Sequence, residues 1–380
     1  MNSNNYLVIA KYVARFIYAF LKLLPTNNKV VMISRFHRTT SVDFKLLIEE
    51  INNINYKTKV IVLNHKLRSK KLLIIDVLKE MYHLATSKAA IIDSYIIPVS
   101  VLKHKRKLVI VQIWHAIGVT KKFGYEAIGT KEGVPRDMAR IMHLHENYTY
   151  ITTGGKKSVP IYKDCFKTDA KVLNCGLPRM DYLVNWENQI NVKNKLFVEN
   201  PSLLRKKNIL YTPTFRKGAI IPYNDIIEKV DFKKYNLIIK KHPLDKSKIK
   251  DERVLFLEGY DTLDLLFIAD YLITDYSAIC FEAALLDIPM FFYTYDINIY
   301  NKNRGLYIDM MKDAPGFSSK NAGDIISAIE KKKYNLQVIR DFKNEHLDYV
   351  DGTCGKRIVS LLNLEVAYEK QVETIPVRHI

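Results

Sequence analysis

The stretch ADYLITDYSAICFEAALLDIPMFFYTYDINIYNKNRG, residues 269–305, decides the fold class. An apolar run over 271–274 reads as a buried strand. The polar turn Asp275-Tyr276-Ser277 follows, then a helix over about 278–286, a second buried strand over 290–293 and a loop ending in Arg304-Gly305. This is one βαβ unit with a polar rim at its strand ends. Open α/β sheets bind ligands outside the carboxyl ends of their strands, where Asp275, Ser277 and Arg304 are displayed.

Working outward, the same alternation continues. NILYTPTF (208–215), LIIKKHP (237–243) and VLFLEG (254–259) read as strands separated by helical segments. Between 185 and 208 the chain is polar and helical, with no strand candidate, which places a domain boundary there. Before it lies a second series: VVMIS (30–34), VIVL (60–63), AAIIDS (89–94), LVIVQIW (108–114), YTYITTGG (148–155) and AKVLNCG (170–176). Short apolar runs alternating with charged, helix-prone segments predict mostly parallel sheets covered by helices. The expected fold is α/β of GT-B type, two Rossmann-like domains facing a cleft and preceded by an amphipathic helix. The expected divisions are 1–27 (membrane-associating helix), 28–185 (acceptor domain), 186–365 (donor domain) and 366–380 (loose tail).

A length of 380 residues suits two domains, and a hydrophobic fraction of 48% is that of a globular protein, for which disorder is not the default. The balance of 59 basic against 40 acidic residues, +19, favours an anionic partner. Nucleic acid is disfavoured, because the aromatics sit inside apolar runs rather than among Lys and Arg. Cys165, Cys175, Cys280 and Cys354 are scattered, with no Cys-x-x-Cys pair, and read as reduced structural thiols of a cytosolic protein. The apolar N-terminal run lacks a small-residue cleavage site, so a cleavable signal is not expected.

That run, YLVIAKYVARFIYAFLKLL (6–24), forms a helix on which Lys11, Arg15 and Lys22 fall within roughly 40° of one another. Spanning a bilayer would cost about 2.5–3.5 kcal/mol for Arg15 alone. A helix lying in the interface, giving its cationic stripe to anionic lipid, is the favoured reading. The alternative is a helix packed on the protein's own core with the stripe facing solvent.

Four segments carry candidate chemistry. QIWHAIGVTKKFG (112–124) places His115 just beyond a strand and follows it with Lys121 in a flexible cationic loop, an arrangement that can take a proton from a hydroxyl held near a phosphate. LIIKKHP ends a buried strand in Lys240, Lys241 and His242, and His242 can donate to a diphosphate. YTPTFR (211–216) brings Arg216 to the same sheet edge. Ser277 is expected at a helix N-cap with amides facing a ligand, and Glu282, one turn on, within reach of a ribose hydroxyl. Bland readings remain open: a histidine bonded to a loop carbonyl, a carboxylate favoured by the helix dipole. His143-Leu144-His145-Glu146 has its histidines two apart, a poor metal spacing on a helix, and reads as structural.

Taken together, QIWHA near 112, CGLPRMDYL (175–183), ILYTPTFR (209–216), KKHP (240–243) and ITDYSAICFEAALLDIPMFFYTYD with YNKNRG (273–305) resemble the CDP-glycerol glycerophosphotransferase family of teichoic acid synthesis. The resemblance spans roughly residues 30–360. It implies a GT-B fold, a CDP-glycerol or CDP-ribitol donor bound by the second domain, and a lipid-linked saccharide or polyol-phosphate acceptor. The setting it implies is the cytoplasmic face of a bacterial membrane, with the protein held peripherally at an anionic surface. It implies His115 as base, His242, Ser277 and Arg304 as donor-phosphate contacts, and Arg216 and Asp275 in matching motifs. The family's usual Trp-His-Gly-Thr-Pro-Leu-Lys is here Trp114-His115-Ala116-Ile117-Gly118-Val119-Thr120-Lys121, which keeps the His and a Lys but lacks the Thr-Pro pair. A divalent cation and a homo-oligomer are compatible with the sequence, which requires neither. Two other readings stay open: a GT-B glycosyltransferase using a nucleotide sugar, and a non-catalytic membrane-bound assembly protein.

Overall fold

The computed structural model describes residues 3–35, 39–64 and 70–365. Two six-stranded sheets form its frame. The first contains β1 (Asn27–Ser34), β2 (Lys59–Asn64), β3 (Ser87–Ile92), β4 (Val109–Gln112), β5 (Tyr150–Thr153) and β6 (Lys171–Asn174), in the order β2-β1-β3-β4-β5-β6. The second contains β7 (Lys207–Tyr211), β8 (Tyr235–Ile239), β9 (Val254–Leu255), β10 (Tyr271–Thr274), β11 (Met290–Tyr293) and β12 (Phe317–Ser319), in the order β12-β11-β10-β7-β8-β9. Pairing is parallel throughout. Helices cover both faces, so β10 and β11 are buried along their whole length, which is why they read as unbroken apolar runs. Only β12, a half-polar edge strand, has no apolar signature to betray it in the sequence.

In the second sheet the strand order reverses between β7 and β10, which makes their carboxyl ends the switch point where such sheets hold ligands. The opening βαβ unit therefore lies beside the YTPTFR turn. Asp275 stitches the two together by accepting from the Thr214 amide with both oxygens, at 3.0 Å each.

A seam joins the two halves. The segment 120–122 pairs with 305–307 through Lys122 N to Gly305 O (3.1 Å) and Tyr307 N to Thr120 O (2.9 Å), and Thr120 Oγ1 donates to the Tyr276 carbonyl at 2.6 Å. At Gly118 the approach is so close that a Cβ would lie 2.5 Å from the Phe281 ring, itself fully buried and stacked on Phe342. Gly118→Ala is expected to cost about 1–3 kcal/mol by overpacking, read as a lower melting temperature. A variant as stable as the parent would show that the seam yields.

The C-terminal helix Cys354–Ser360 follows the second sheet in sequence yet packs on the first. Ile358, Val359 and Leu362 join Val30, Met32, Phe44 and Ile91 in one core, and Asp181 accepts from the Cys354 and Gly355 amides at 3.0 and 2.8 Å. All four cysteines are free and buried. Residues 366–380, expected as a loose tail, lie outside the described residues.

Helix α1 (Ser3–Leu21) corrects the sequence expectation about its cations. Lys11 and Arg15 turn inward rather than to solvent or lipid. Lys11 Nζ donates to the Ile141 carbonyl (3.1 Å) and Arg15 Nε to that of Val101 (2.8 Å), and both reach His143 Nε2. Carbonyls of the protein hydrogen-bond these donors, so the helix rotates its apolar side outward. Tyr6, Tyr12, Val13, Phe16 and Phe20 are each more than half exposed, next to exposed Ile74 and Leu78 of the helix Lys70–Thr86 that α1 contacts. No described helix is long and apolar enough to cross a membrane.

Candidate active site

The first half of the site grows from the end of β4. Gln112, fully buried, donates to the Ser94 carbonyl (3.0 Å) and accepts from the Trp114 amide (2.9 Å), which turns the chain sharply. Trp114 takes φ +56°, a rare conformation for a bulky residue, and the turn is held by ring packing on Phe123 (4.9 Å) and Phe166 (5.3 Å). His115 is thereby swung back toward β3, where its Nδ1 lies 3.1 Å from the Asp93 carbonyl. A carbonyl only accepts, so the proton sits on Nδ1 and Nε2 is the basic nitrogen.

His242 has the complementary tautomer. Its Nδ1 accepts from the Leu244 amide at 3.1 Å, leaving the proton of the neutral ring on Nε2 as a donor. The ring stacks on Phe215 (5.2 Å, 25°). Packing, reinforced by the Lys121 charge, pushes its pKa below the usual histidine range and keeps it neutral near pH 7.

Lys121 comes from the first half of the chain but sits among groups of the second. Burial, then the neighbouring Arg304 charge, lowers its pKa to about 8, with Asp275 opposing and Arg216 adding to the effect. Arg304 ends the helix Ile297–Arg304 rather than lying in a loop, and its Nε donates to the Lys122 carbonyl at 2.9 Å. Neither its Nη groups nor the Lys121 ammonium hydrogen-bonds to any described residue. Lys121 and Arg304 thus form a cationic rim at the seam, with the Nε2–H of neutral His242 as a further donor near Lys121, an arrangement that can accept an anion.

Lys121 carries a pH consequence. Its folded pKa lies below the ordinary lysine value of 10.5, so the ammonium disfavours folding below about pH 8 and this penalty fades as pH rises from there. Its affinity for an anionic ligand moves the other way. KM for an anionic donor is expected to rise above about pH 8, and Lys121→Arg, which stays charged, is expected to flatten that limb. An unchanged pH profile of KM in the arginine variant would remove Lys121 from anion binding.

Other expected residues are placed differently. Arg216 is buried and bonded inward: to Asp275 (2.9 Å), to Asp296 (2.8 and 3.1 Å) and to the Thr214 carbonyl (2.6 Å), with Tyr300 under its guanidinium. The ion pairs hold it charged. Arg216 and Asp275 therefore form the floor of the turn. Ser277 precedes the N-cap, which is Ala278, and its hydroxyl accepts weakly from the Ile279 amide at 3.4 Å. Glu282 does not face a ligand crevice, because its carboxylate is 3% exposed and lies against Arg179 of the first half at 3.5 Å. His143 and His145 sit in a loop, with His145 buried against Tyr148 and Trp114. Among the described residues no group of three His, Cys, Asp or Glu side chains is placed to hold a metal ion.

Arg179 is the residue that sequence reasoning passed over, although it stands in the CGLPRMDYL segment. Its guanidinium binds Asp43 through Nε and Nη2, while Nη1 donates to the His115 carbonyl (2.9 Å) and to Glu282. One cation serves two buried carboxylates. Asp43 holds it at shorter range, so burial of the less tightly held Glu282 raises that pKa to about 7.

Two parallel six-stranded, Rossmann-like sheets define a GT-B-like fold, and the histidines and cations described above stand at their carboxyl ends. The chain belongs to the CDP-Glycerol:Poly(glycerophosphate) glycerophosphotransferase family, whose signature matches residues 16–364. It is 32% identical over 364 residues to the teichoic acid poly(ribitol-phosphate) polymerase of Bacillus spizizenii, covering 90% of this chain and 58% of that one. It is 30% identical to the teichoic acid ribitol-phosphate primase of the same organism, covering 90% of this chain and 92% of that one. The fold matches the wall teichoic acid polymerase TagF with a TM-score of 0.73 at 20% identity, over 95% of this chain and 98% of that one.

Proposed function

We propose that this transferase moves glycerol phosphate or ribitol phosphate from a CDP-polyol to a hydroxyl of a lipid-linked acceptor, releasing CMP. The carrying observation is the rim at the seam: cationic Lys121 from the first half of the chain lies near Arg304 and the neutral donor His242 from the second, where a donor diphosphate would be held. The acceptor oxygen attacks the β-phosphorus and forms the new P–O bond, and the bond to the CMP phosphate breaks with its electron pair leaving on CMP. His115 Nε2 takes the acceptor proton, while His242 Nε2–H, Lys121 and Arg304 offset charge on the diphosphate. Positioning and electrostatics carry most of such a transfer, so no covalent nucleophile is required. Ser277 sits at the turn that faces the diphosphate, and Arg216 and Asp275 keep that turn in shape. A CDP-polyol donor is supported by the family's description and by a TagF structure soaked with CDPG.

The outward apolar face of α1 supports a peripheral position on an anionic membrane, where the acceptor lipid lies. The decisive experiment offers a lipid-linked acceptor CDP-glycerol, CDP-ribitol and a nucleotide sugar separately and weighs the products by mass spectrometry. A gain of one or more polyol phosphates with matching CMP supports the proposal. Sugar transfer, or no CMP from either CDP-polyol, overturns it.

A further inference from the structure

In the segment His143-Leu144-His145-Glu146, read as structural from its spacing, His143 and Glu146 line one wall of a cavity of about 510 Å³ beside α1. His143, His145 and Asn147 all take positive φ (+49°, +62° and +69°). This backbone is unfavourable for non-glycine residues and is held by outside bonds. The Asn147 amide donates to the carbonyls of Val99, Ser100 and Leu102, and Tyr95 donates to that of Met142 at 2.6 Å. The wall is therefore rigid before any ligand arrives.

Its charges are unbalanced. Lys11 and Arg15 are obligate donors aimed at His143 Nε2, at 3.4 and 3.2 Å, so that nitrogen accepts and Nδ1–H donates to Glu146 at 2.8 Å. The cavity's one carboxylate is thus engaged by its own wall. Across from it, Arg136 and Lys167 have no ion pair among the described residues, and Arg140 has only the exposed, 3.7 Å contact with Asp137. Tyr125, Ile128 and Ala139 supply an apolar floor. The helix Arg136–Ile141 is tied to α1 by the Lys11–Ile141 bond, so the cavity adjoins the helix whose apolar side is exposed. Behind that wall His145, between the lining residues His143 and Glu146, meets the edge of Trp114, whose ring lies 4.3 Å from that of His115.

We propose that this pocket, with Arg136, Arg140 and Lys167 as its cations, holds the phosphate of an anionic lipid headgroup and seats the protein on the membrane beside His115. The idea rests on the membrane-acceptor reading above. The test compares full-length protein with Arg136→Glu/Lys167→Glu, and with Lys229→Glu/Lys233→Glu as an equal charge change at exposed sites on the second half of the chain. Each is sedimented with phosphatidylcholine vesicles, with and without phosphatidylglycerol. The pocket variant is expected to lose about tenfold or more of its affinity for the phosphatidylglycerol vesicles, while the control variant loses little and binding to pure phosphatidylcholine is unchanged. Matching melting temperatures exclude misfolding. Equal losses in both variants would reduce the effect to net charge and overturn the proposal, as would an unchanged affinity in the pocket variant. A soluble-anion site is the remaining rival. Inorganic phosphate that stabilises wild type, but not the pocket variant, against heat at the ionic strength of a chloride control, with vesicle affinity unaltered, would assign the pocket to that rival. CMP release measured on the same preparations tests the transfer reading separately, since either result can fail without the other.

Discussion

Replacing His115 by alanine is expected to lower kcat by about 10²–10⁴ while the donor KM changes little. The expectation follows from geometry. The Asp93 carbonyl fixes the proton on Nδ1, and the strained Trp114 turn aims the ring, so Nε2 is the nitrogen that would act as the proposed base. Folding should survive, because His115 is only half-buried and the turn is held by Gln112 and the aromatic wall. Steady-state CMP release with a saturating acceptor measures it. Turnover within about threefold of wild type would take His115 out of the mechanism, since a general base is worth far more.

The second large effect is on stability. Arg179→Met leaves Asp43, 2% exposed, and Glu282, 3% exposed, without their shared cation. Removing one partner of a buried ion pair costs about 3–5 kcal/mol, because the remaining charge stays desolvated. Chemical denaturation should show a loss of that size at neutral pH. Glu282→Gln should behave differently. Its folded pKa of about 7 lies above the ordinary glutamate value of 4.5, so its contribution to stability is fully present below about pH 4.5 and is lost as pH rises through 7. The glutamine variant should therefore gain on wild type across that window, by at most about 3 kcal/mol. A parallel pair of stability curves would show that Glu282 ionises normally. Because Nη1 of Arg179 also holds the His115 carbonyl, Arg179→Lys is expected to fold better than Arg179→Met yet to turn over more slowly than wild type.

The first prediction concerns a residue legible in the sequence, the second one that was not. His115 and His242 stand at the ends of apolar runs, and a strand end in a parallel sheet is a site position whatever the neighbours are. Arg179 stands in the middle of a short helical segment, and nothing local says that its partners lie 136 and 103 residues away. For the same reason Glu282 looked like a residue near a helix start with access to a ligand. Distance along the helix was readable, but burial depends on what the other domain places over it. The cationic stripe of α1 failed in a related way. Helical periodicity correctly put Lys11 and Arg15 on one face, but which face turns inward was decided by carbonyls at Val101 and Ile141 that accept from them.

By itself, then, the sequence determined the local elements, because strand and helix periods and the long apolar runs of a doubly covered sheet are properties of neighbouring residues. It also determined which residues reach the carboxyl ends of the strands. Only the tertiary structure decided which of those groups remain available. Arg216 and Asp275 neutralise each other beneath the turn, whereas Lys121 and Arg304 meet at the seam with donors still unengaged by described residues. The physical reason is that an ion pair between remote segments depends on a distance of a few ångströms, and only the packing of two sheets sets that distance.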